Sequence, residues 1–580
     1  RADLVTMPVN AIHEWKNIQR RSAIWEADGR ESSVALTEAN GLAFSINGKC
    51  DGNSIEDAPT QIMLGMVSAL HHPSPKSAFV VGLGTGCSAG WLGAITDMER
   101  VVVAELEPMV LEVASRCAPI NHAVLANPKV QVRLGDAREL LLIDNQTYDL
   151  IVSEPSNPFR AGISSLFTRE FYEAVNRRLA QGGLFSQWVQ GYEIDVQTMK
   201  TVYATLRTVF PYVETWQTSY GDYLLICSRE RLAYSRTLLE QRLKQEPWKG
   251  ALWQGWRVNS VEGIFSHYVA NADFVNMVHN TTNPRDHLST DDRVTVEFGL
   301  LRTMGRKNLG MMQALQVEAN SNQLQKPLMR DGTIDWAEVR DQNLLALTLS
   351  NQECKTLDDP DRGFLLRVAA HTNYRRENFR GFVQNWSGQD RKPLHPGESL
   401  MLAESFARFG APETTAMVEP AQAEFPGESQ LILATYFSEI GSYSEAVACF
   451  EKGFGIFRQR PFPVEPIIRR GMEMAMNLAL KHPELAPRLA ESLRQPFLLS
   501  AVNELRVQAI VGLLPKLEPV LVREYCHALE PNVPWQDEFL ITRRDCYKAT
   551  NDPLWQQAAA DVDAYLAGEP NRGGTDAFLK

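Results

Sequence analysis

The 580-residue sequence lacks the features that mark a zinc site, a disulfide framework, a membrane span or a nucleic-acid surface. Its eight cysteines are scattered and form no Cys-x-x-Cys pair, which favours a reducing compartment. No apolar run reaches the ~18 residues that a membrane-spanning helix needs. The formal net charge of -12 argues against nucleic acid, whose affinity rests on cationic contacts to phosphate. We therefore expect neither a metal site nor a nucleic-acid partner.

Length and composition are those of a folded multidomain protein. The 44% hydrophobic and 22% charged content is ordinary, and 580 residues predict two to four domains. No signal peptide is visible, and the sequence begins with Arg1 rather than methionine. Two locations stay open: the cytoplasm, or the cytoplasmic part of a membrane-associated protein whose N-terminal anchor is missing from this sequence. Nothing in the composition specifies an oligomeric state.

The most informative segment joins an apolar run to a glycine-rich turn. The run is Phe-Val-Val at 79–81. The turn that follows consists of Gly82, Leu83, Gly84, Thr85 and Gly86. Glycines at this spacing allow a tight turn and a close approach of the backbone to a ligand. A second apolar run ends in Glu105, whose carboxylate can accept hydrogen bonds from both ribose hydroxyls. The pattern predicts a nucleoside site in a doubly wound α/β fold.

Strand and helix patterns alternate between residues 78 and 228. Strands are predicted at 79–82, 101–105, 130–134, 149–153, 183–189 and 223–227. A helix is predicted over 168–180, with Gly182 and Gly183 as its stop signal. Such alternation indicates a mostly parallel sheet, in which ligands bind beyond the carboxyl ends of the strands. That rule places the glycine turn, Glu105, Asp136 and the segment at 153–155 around one pocket.

These patterns divide the chain into three predicted domains. Residues 1–76 form an N-terminal β-rich region, with a hairpin between 33 and 46. Residues 77–305 form the Rossmann-like domain. Residues 306–580 are mostly amphipathic helices. Small and aromatic residues between 434 and 450 match the spacing of a tetratricopeptide helix pair, which predicts a repeat domain suited to a protein partner.

Eight ordered blocks carry a resemblance to a known family. They are Asn47-Gly48, Glu56-Asp57 with Gln61, Val81–Gly86, Glu105–Glu107, Gly135–Arg138, Tyr148–Pro158, Leu166–Tyr172 and Gly183–Trp188. Through these blocks, residues from about 30 to 228 resemble the spermidine synthase (polyamine aminopropyltransferase) family. The closest likeness is to its large, divergent bacterial branch with an extra C-terminal helical region. That helical half lies outside the resemblance to simple spermidine synthases.

The resemblance implies a class I S-adenosylmethionine-dependent methyltransferase fold, with an S-adenosylmethionine-type nucleoside as co-substrate and no metal. Glu105 would take the ribose hydroxyls. Asp136 would accept from the adenine amino group, and Ala137 would lie against the ring. From the residues alone, the alternatives are a solvated strand end for Glu105 and a loop turn or helix cap for Asp136.

The family's catalytic step is attack by an amine on a carbon next to a sulfonium, and a nearby carboxylate can accept the amine proton. The family's Asp-Ser-Ser-Asp-Pro block aligns with residues 154–158. Glu154 keeps the first carboxylate, whereas Asn157 has lost the second. Glu154 is thus the predicted catalytic residue, the alternative being a loop carboxylate without chemistry. The predicted substrate-binding residues are Asp57, Gln61, Asn157 and Gln187.

Thr85 departs from the family, which usually carries an Asp there that suits the free amino group of decarboxylated S-adenosylmethionine. With threonine in place of that aspartate, the chain lacks a negative charge that would repel the carboxylate of ordinary S-adenosylmethionine. Three functions stay open. We favour a spermidine synthase-like transferase that aminopropylates an amine acceptor. The alternatives are a methyltransferase acting on a small molecule or protein, and a non-catalytic nucleoside-binding scaffold that recruits a protein partner through its helical tail.

Overall fold

The N-terminal elements are one helix and four short strands. The computed structural model describes residues 8–38, 40–160, 162–219, 221–281, 288–303, 311–352, 361–389 and 392–568. Its first elements are α1 (Val9–Ser22), β1 (Ala23–Asp28), β2 (Ser33–Glu38), β3 (Leu42–Ile46) and β4 (Lys49–Asn53). The strands form a sheet of order β1-β2-β3-β4. The predicted β region and its hairpin are therefore present, but α1 precedes them and was not predicted.

The central region alternates helices and strands. Its elements are α2 (Ala58–His71), β5 (Ser77–Val81), α3 (Cys87–Ala94), β6 (Arg100–Glu105), α4 (Val110–Arg116), β7 (Val130–Leu134), α5 (Ala137–Ile143), β8 (Tyr148–Ser153), α6 (Arg169–Arg178), β9 (Leu179–Gln190), α7 (Val196–Arg207), β10 (Tyr212–Ser219) and β11 (Asp222–Ser228). The sheet order is β7-β6-β5-β8-β9-β11-β10, and β11 is antiparallel to both of its neighbours. Counted from β5, this order is 3-2-1-4-5-7-6 with the seventh strand reversed. It is the class I methyltransferase-like Rossmann topology, which confirms the fold predicted for this region.

The order of the sheet reverses at β5. This strand pairs with β6 on one side and with β8 on the other, in parallel in both cases. In open α/β sheets, ligands bind in the crevice outside the carboxyl ends of the strands at such a switch point. Gly82 follows β5 and Glu154 follows β8. The Glu154 amide donates a 3.1 Å hydrogen bond to the Val81 carbonyl, so the two segments lie side by side at the crevice.

Helix α2 carries the start of the site to this crevice. Twelve of its fourteen residues are buried, as expected for a helix that is apolar on nearly all sides. It packs against α3 and against β9 and β10 of the sheet. Its N-terminal end brings Asp57 and Gln61 to the carboxyl edge of the strands.

The glycine pair at 182–183 lies inside a strand rather than at a helix end. Helix α6 ends at Arg178, and β9 begins at the next residue. The register between β8 and β9 shifts in this stretch, and Gly182 adopts a φ of +73°. Its backbone conformation therefore belongs to an irregular stretch of β9. The prediction that these glycines end the helix was wrong. A glycine with positive φ is typical both of a helix end and of an irregular strand, so the sequence alone did not distinguish the two.

The remaining elements up to residue 375 are short strands and helices of up to 14 residues. They are β12 (Tyr234–Ser235), α8 (Arg236–Arg242), α9 (Trp248–Trp256), α10 (Val261–Phe265), β13 (Tyr268–Ala270), α11 (Ala272–Thr281), α12 (Gly299–Thr303), α13 (Met311–Ser321), β14 (Met329–Asp331), α14 (Trp336–Leu349) and α15 (Arg362–Arg375). Strand β13 extends the main sheet beside β10. Met311, Leu315 and Ala319 of α13 belong to the same buried apolar cluster as the sheet residues Phe79 and Val102.

The chain forms two compact units. One comprises residues 27–34 and 44–375, and the other residues 1–26, 35–43 and 376–580. The predicted boundaries at 76/77 and 305/306 do not coincide with this division, because α13 packs into the core of the sheet. The assignment of three functional domains stays a prediction.

The second of these units is helical where it is described beyond residue 376. Its helices there are α16 (Phe379–Ser387), α17 (Pro396–Ala407), α18 (Glu413–Val418), α19 (Pro426–Glu439), α20 (Tyr443–Phe457), α21 (Glu465–Lys481), α22 (Ala486–Leu493), α23 (Asn503–Leu513), α24 (Pro519–His527), α25 (Asp537–Ala549) and α26 (Trp555–Ala567). α19 and α20 pack together through buried residues that include Ala434, Ala446 and Phe450. Packed helix pairs are thus present, whereas their tetratricopeptide-like character stays a prediction.

Candidate active site

The glycine turn packs closely against the end of β8. Gly82, Gly84 and Gly86 all have positive φ angles, which other residues rarely adopt. A Cβ at position 82 would lie 2.9 Å from the carbonyl oxygen of Glu154. A Cβ at position 86 would lie 2.7 Å from the Val124 side chain. Glycine at these two positions therefore fixes a close approach between the turn and the segments around it.

Glu105 anchors the glycine turn from the end of β6. Its side chain is buried, with one carboxylate oxygen accepting from the Leu83 amide and the other from the Glu107 amide, both at 2.8 Å. Burial raises the pKa of Glu105, and these amide donors oppose that shift. Glu105 is therefore not a solvated strand end. A carboxylate has about four acceptor sites, so two remain for ligand hydroxyls, and the ribose role stays a prediction.

Asp136 caps helix α5. Its Oδ1 accepts hydrogen bonds from the amides of Arg138, at 2.7 Å, and Glu139, at 3.2 Å. The helix-cap interpretation is therefore correct as far as Oδ1 is concerned, while Oδ2 takes no part in the cap. Ala137 is the first residue of α5 and is partly buried. The predicted adenine contacts of both residues stay predictions.

Hydrogen bonds hold the loop around residue 291 beside this cap. The Arg138 guanidinium donates to both carboxylate oxygens of Asp291, at 2.8 and 2.6 Å. The Asp291 amide donates to Glu170, at 3.0 Å. Asp291 thus lies next to the predicted adenine side of the pocket.

Glu154 is the carboxylate at the centre of the crevice. Ser88 Oγ, from the first turn of α3, lies 2.6 Å from Glu154 Oε2. Burial raises the pKa of Glu154 to about 8, the Ser88 hydroxyl opposes that rise, and the charges of Asp57 and Asp222 add to it. A carboxyl group whose pKa lies near neutral pH can both give and take a proton.

Asp57 and Asp222 complete an acidic cluster with Glu154. Asp57 Oδ2 accepts from the Asn53 amide at 2.7 Å, and burial raises the pKa of Asp57 to about 6. Asp222 begins β11 and accepts from Trp188 Nε1 at 3.0 Å, and burial also raises its pKa. Each carboxylate raises the proton affinity of Glu154, so the cluster favours a bound cation.

The side chains of Thr85 and Gln61 form a hydrogen bond with each other. The Thr85 hydroxyl is buried and donates to Gln61 Oε1 at 2.6 Å. Ser88 Oγ lies 2.7 Å from the Gln61 carbonyl oxygen. Gln61 therefore connects α2 to the glycine turn, and this neutral pair stands where the family usually has a charge.

Asn157 lies under a lysine. Lys49 Nζ, from β4, donates to Asn157 Oδ1. Asn157 Nδ2 donates to Gln190 Oε1 and, at 3.4 Å, to Tyr192 Oη. A cation therefore occupies the neighbourhood of the residue that aligns with the family's second carboxylate.

Gln187 is enclosed within the sheet. It lies in β9, opposite Ser153 of β8 and Leu225 of β11, and it is fully buried. Its Nε2 donates to the Trp188 carbonyl at 3.0 Å, whereas its Oε1 has no hydrogen-bond partner in the part of the chain that the structure describes. Its predicted substrate role stays a prediction.

The sequence alone did not point to Ser88, Asp222 or Lys49. Ser88 could have been found as the first hydroxyl after the glycine turn, at the start of a helix. Asp222 has only the preceding glycine as a signal, and Lys49 only the Asn47-Gly48 turn.

Across the described ranges, His, Cys, Asp and Glu side chains form no group of three or more that could hold a metal ion. In the same ranges no helix is both long and apolar enough to cross a membrane.

The strand order and the segments at the carboxyl ends of β5, β6 and β8 define a class I methyltransferase-like Rossmann region, whose nucleoside site stays a prediction. Residues 58–225 match the family model described as the spermine/spermidine synthase domain. This part of the chain therefore resembles a spermine/spermidine synthase domain, as the sequence blocks predicted.

Curated relatives match about a third of the chain. A polyamine aminopropyltransferase of Nitrosomonas europaea is 34% identical over 185 residues, covering 30% of this chain and 57% of the relative. A thermospermine synthase of Arabidopsis thaliana is 25% identical over 201 residues, covering 34% of this chain and 59% of the relative. The chain thus spans somewhat more than half the length of these two relatives. A solved spermidine synthase from Thermotoga maritima is 21% identical, with a TM-score of 0.32, over 36% of this chain and 73% of that one.

Proposed function

We propose that this chain is a spermidine synthase-like transferase that moves an alkyl group from an S-adenosylmethionine-type nucleoside to an amine. The observation that carries the proposal is the position of Glu154: its backbone packs against Gly82 at the switch-point crevice, and its carboxyl group, whose pKa burial raises to about 8, lies 2.6 Å from Ser88 Oγ. The family match over residues 58–225 supports aminopropyl as the transferred group.

In the proposed reaction the acceptor enters as an ammonium ion beside Glu154, Asp57 and Asp222. Two cations, the sulfonium and the ammonium, would lower the pKa of Glu154 from about 8, so Glu154 becomes a carboxylate as the substrates bind. It then takes one proton from the ammonium. The nitrogen lone pair attacks the carbon next to the sulfonium, a C–N bond forms, and the C–S bond breaks with its electron pair moving to sulfur. The products are a neutral thioether nucleoside and a substituted ammonium.

The glycine turn and its anchor would hold the nucleoside in this reaction. Glu105 has two acceptor sites left for ribose hydroxyls, and Asp136 Oδ2 is not used by the helix cap. Positioning of this kind places the sulfonium carbon against the acceptor nitrogen, which accounts for much of the rate of a bimolecular transfer.

Methyl transfer from ordinary S-adenosylmethionine is the second candidate, and one observation favours it. Thr85 is neutral and its hydroxyl donates to Gln61. This position therefore presents no negative charge that would repel the carboxylate of ordinary S-adenosylmethionine. We expect ordinary S-adenosylmethionine to bind at least as well as its decarboxylated form, and Thr85→Asp to reverse the preference. Calorimetry with the two nucleosides on wild type, Thr85→Asp and Thr85→Ser measures this directly.

The experiment for the main proposal follows the products. Purified protein is incubated with each nucleoside and a set of amines, and mass spectrometry detects an aminopropyl or a methyl group on the amine. Release of methylthioadenosine with an aminopropylated amine supports the proposal. A methylated product, with release of S-adenosylhomocysteine, supports the second candidate. Failure of methylthioadenosine, S-adenosylmethionine and its decarboxylated form all to bind would overturn both.

A further inference from the structure

The crevice that would hold the acceptor has opposite charges on its two sides. We propose that the acceptor is an amine that also carries an anionic group, such as an ω-amino carboxylate, and that Lys49 and the donors around Asn157 bind that group. This inference rests on the proposed function, because it concerns the acceptor of the same reaction.

Lys49 is held by groups that leave its charge available. Its ammonium donates to the Asn157 amide oxygen and lies 4.2 Å from the centre of the Phe159 ring. The nearest carboxylate in an ion pair with it, Glu193, is 3.9 Å away and about half exposed, and such a pair contributes little. The two other charged groups nearby, Arg160 and Asp51, pair with each other at 3.1 Å.

The side chains around Asn157 offer further donors. Asn157 Nδ2 donates to Gln190 Oε1, and Gln190 is fully buried. Gln190 Nε2 has no hydrogen-bond partner within the described residues. Tyr192 Oη accepts from Asn157, which leaves the tyrosine hydrogen free to donate. The Lys49 ammonium and the Tyr192 hydroxyl, both beside Asn157, can donate to an anion, and the Gln190 amide is a further donor whose hydrogen-bonding capacity is unused.

The donors and the acidic cluster meet at Tyr192, whose hydroxyl lies 3.4 Å from Asn157 Nδ2 and whose pKa is raised by burial and by the charges of Asp222 and Asp57. Asn157 is three residues after Glu154, and Pro155 and Pro158 restrict the loop that carries both. In this proposal, an acceptor whose amine binds at Glu154 extends along the loop toward Asn157 and Lys49. A diamine would bring its second ammonium against the Lys49 ammonium, whereas an amino carboxylate would match both sides.

The test compares two acceptors that differ in one end group, 1,4-diaminobutane and 4-aminobutanoate, with whichever nucleoside supports transfer. We expect the wild type to show a kcat/KM at least tenfold higher for 4-aminobutanoate. Lys49→Met keeps most of the length of the side chain but removes the charge, and should lower kcat/KM for 4-aminobutanoate at least tenfold without lowering it for diaminobutane. Lys76→Met, at an exposed lysine paired with Glu99, is the matched control and should change neither value.

The outcomes separate this inference from the proposed function. Methylthioadenosine affinity, measured by calorimetry, should be the same in the wild type and in Lys49→Met. If methylthioadenosine binds and diaminobutane is preferred, or if Lys49→Met leaves the acceptor ratio unchanged, the acceptor inference is overturned while the transferase proposal stands. If neither acceptor reacts although another amine does, the inference is overturned as well. If methylthioadenosine does not bind, the proposed function fails and the inference fails with it.

Discussion

Ser88 Oγ lies within hydrogen-bond distance of two acceptors, Glu154 Oε2 at 2.6 Å and the Gln61 carbonyl oxygen at 2.7 Å. A serine hydroxyl has a single hydrogen, so it cannot donate to both at once. When Glu154 is ionised, Ser88 donates to its carboxylate. When Glu154 is protonated, the carboxyl can donate to Ser88, and the hydroxyl can then donate to Gln61. The protonation state of Glu154 therefore sets the direction of the hydrogen bonds between α2, α3 and the end of β8.

The first prediction concerns the pH dependence of turnover. If Glu154 is the base, kcat/KM should rise with pH through an apparent pKa near 8, because kcat/KM reports the free enzyme. Ser88→Ala removes a charge-assisted hydrogen bond to the ionised form, so the rise should move upward by about one pH unit. Glu154→Gln should slow turnover by ~10²-fold or more and remove the rise.

The pH profile of kcat/KM is measured from steady-state rates between about pH 5.5 and 9.5, a range that brackets the pKa of Glu154. Glu112→Gln, at an exposed carboxylate paired with Arg116, is the control and should leave the profile unchanged. Full activity in Glu154→Gln would show that this carboxylate is not catalytic.

The second prediction concerns stability in the absence of substrate. The folded-state pKa of Glu154, about 8, is above its ordinary value of 4.5. The folded protein therefore holds a proton that the unfolded chain releases, and the resulting stabilisation is complete below pH 4.5 and lost as the pH rises through about 8. We expect the free energy of unfolding of the wild type to fall over this window by an amount on the order of a few kcal/mol.

Glu154→Gln carries no ionisable group at this position, so its stability should fall less over the same window. Urea unfolding of both proteins at several pH values measures the difference between them. Asp57, whose pKa is raised to about 6, adds a similar loss at lower pH in both proteins and cancels in that difference. Parallel curves for the two proteins would contradict the assignment.

The third prediction concerns Glu105. Substitution by alanine removes the acceptor for the Leu83 and Glu107 amides as well as any bond to ribose. Charge-assisted hydrogen bonds at a buried site are worth ~1.5–3 kcal/mol, so methylthioadenosine should bind about ten- to a hundredfold more weakly. Because the turn loses its anchor too, circular dichroism must first show that the variant is folded. Glu112→Ala again provides a surface carboxylate whose loss should not change the dissociation constant.

The sequence predicted β5, β6 and β8 of the parallel core well because these strands are short, mainly apolar runs that are buried along nearly their whole length. The strand predicted at 130–134 matches β7, and that at 149–153 matches β8 within one residue. β10 was missed because its residues, Tyr212–Ser219, alternate with polar side chains such as Glu214, which the structure nonetheless buries. Local patterns do not reveal which polar residues the surrounding sheet will cover.

The site divides in the same way. The glycine turn and Glu105 lie on consecutive parts of one βαβ unit, so their spacing along the chain was enough to predict that they meet. Lys49 and Asn157 are 108 residues apart, and Asp222 reaches the acidic cluster from the antiparallel strand β11. Contacts of this kind follow from the strand order of the whole sheet, which one sequence does not specify.

The last prediction concerns the boundary of the Rossmann-like region. The sequence placed it at residue 305, but Leu315 of α13 is fully buried in the apolar cluster of the sheet. Leu315→Ala should therefore lower the free energy of unfolding by about 2–5 kcal/mol, as large-to-small substitutions in a packed core do. Val317 lies two residues further on the same helix and is 62% exposed, so Val317→Ala should cost little. Urea unfolding of the two variants provides the comparison. Equal and small effects would mean that α13 is not part of this core, and the chain could then be cut at residue 305 without loss of the nucleoside site.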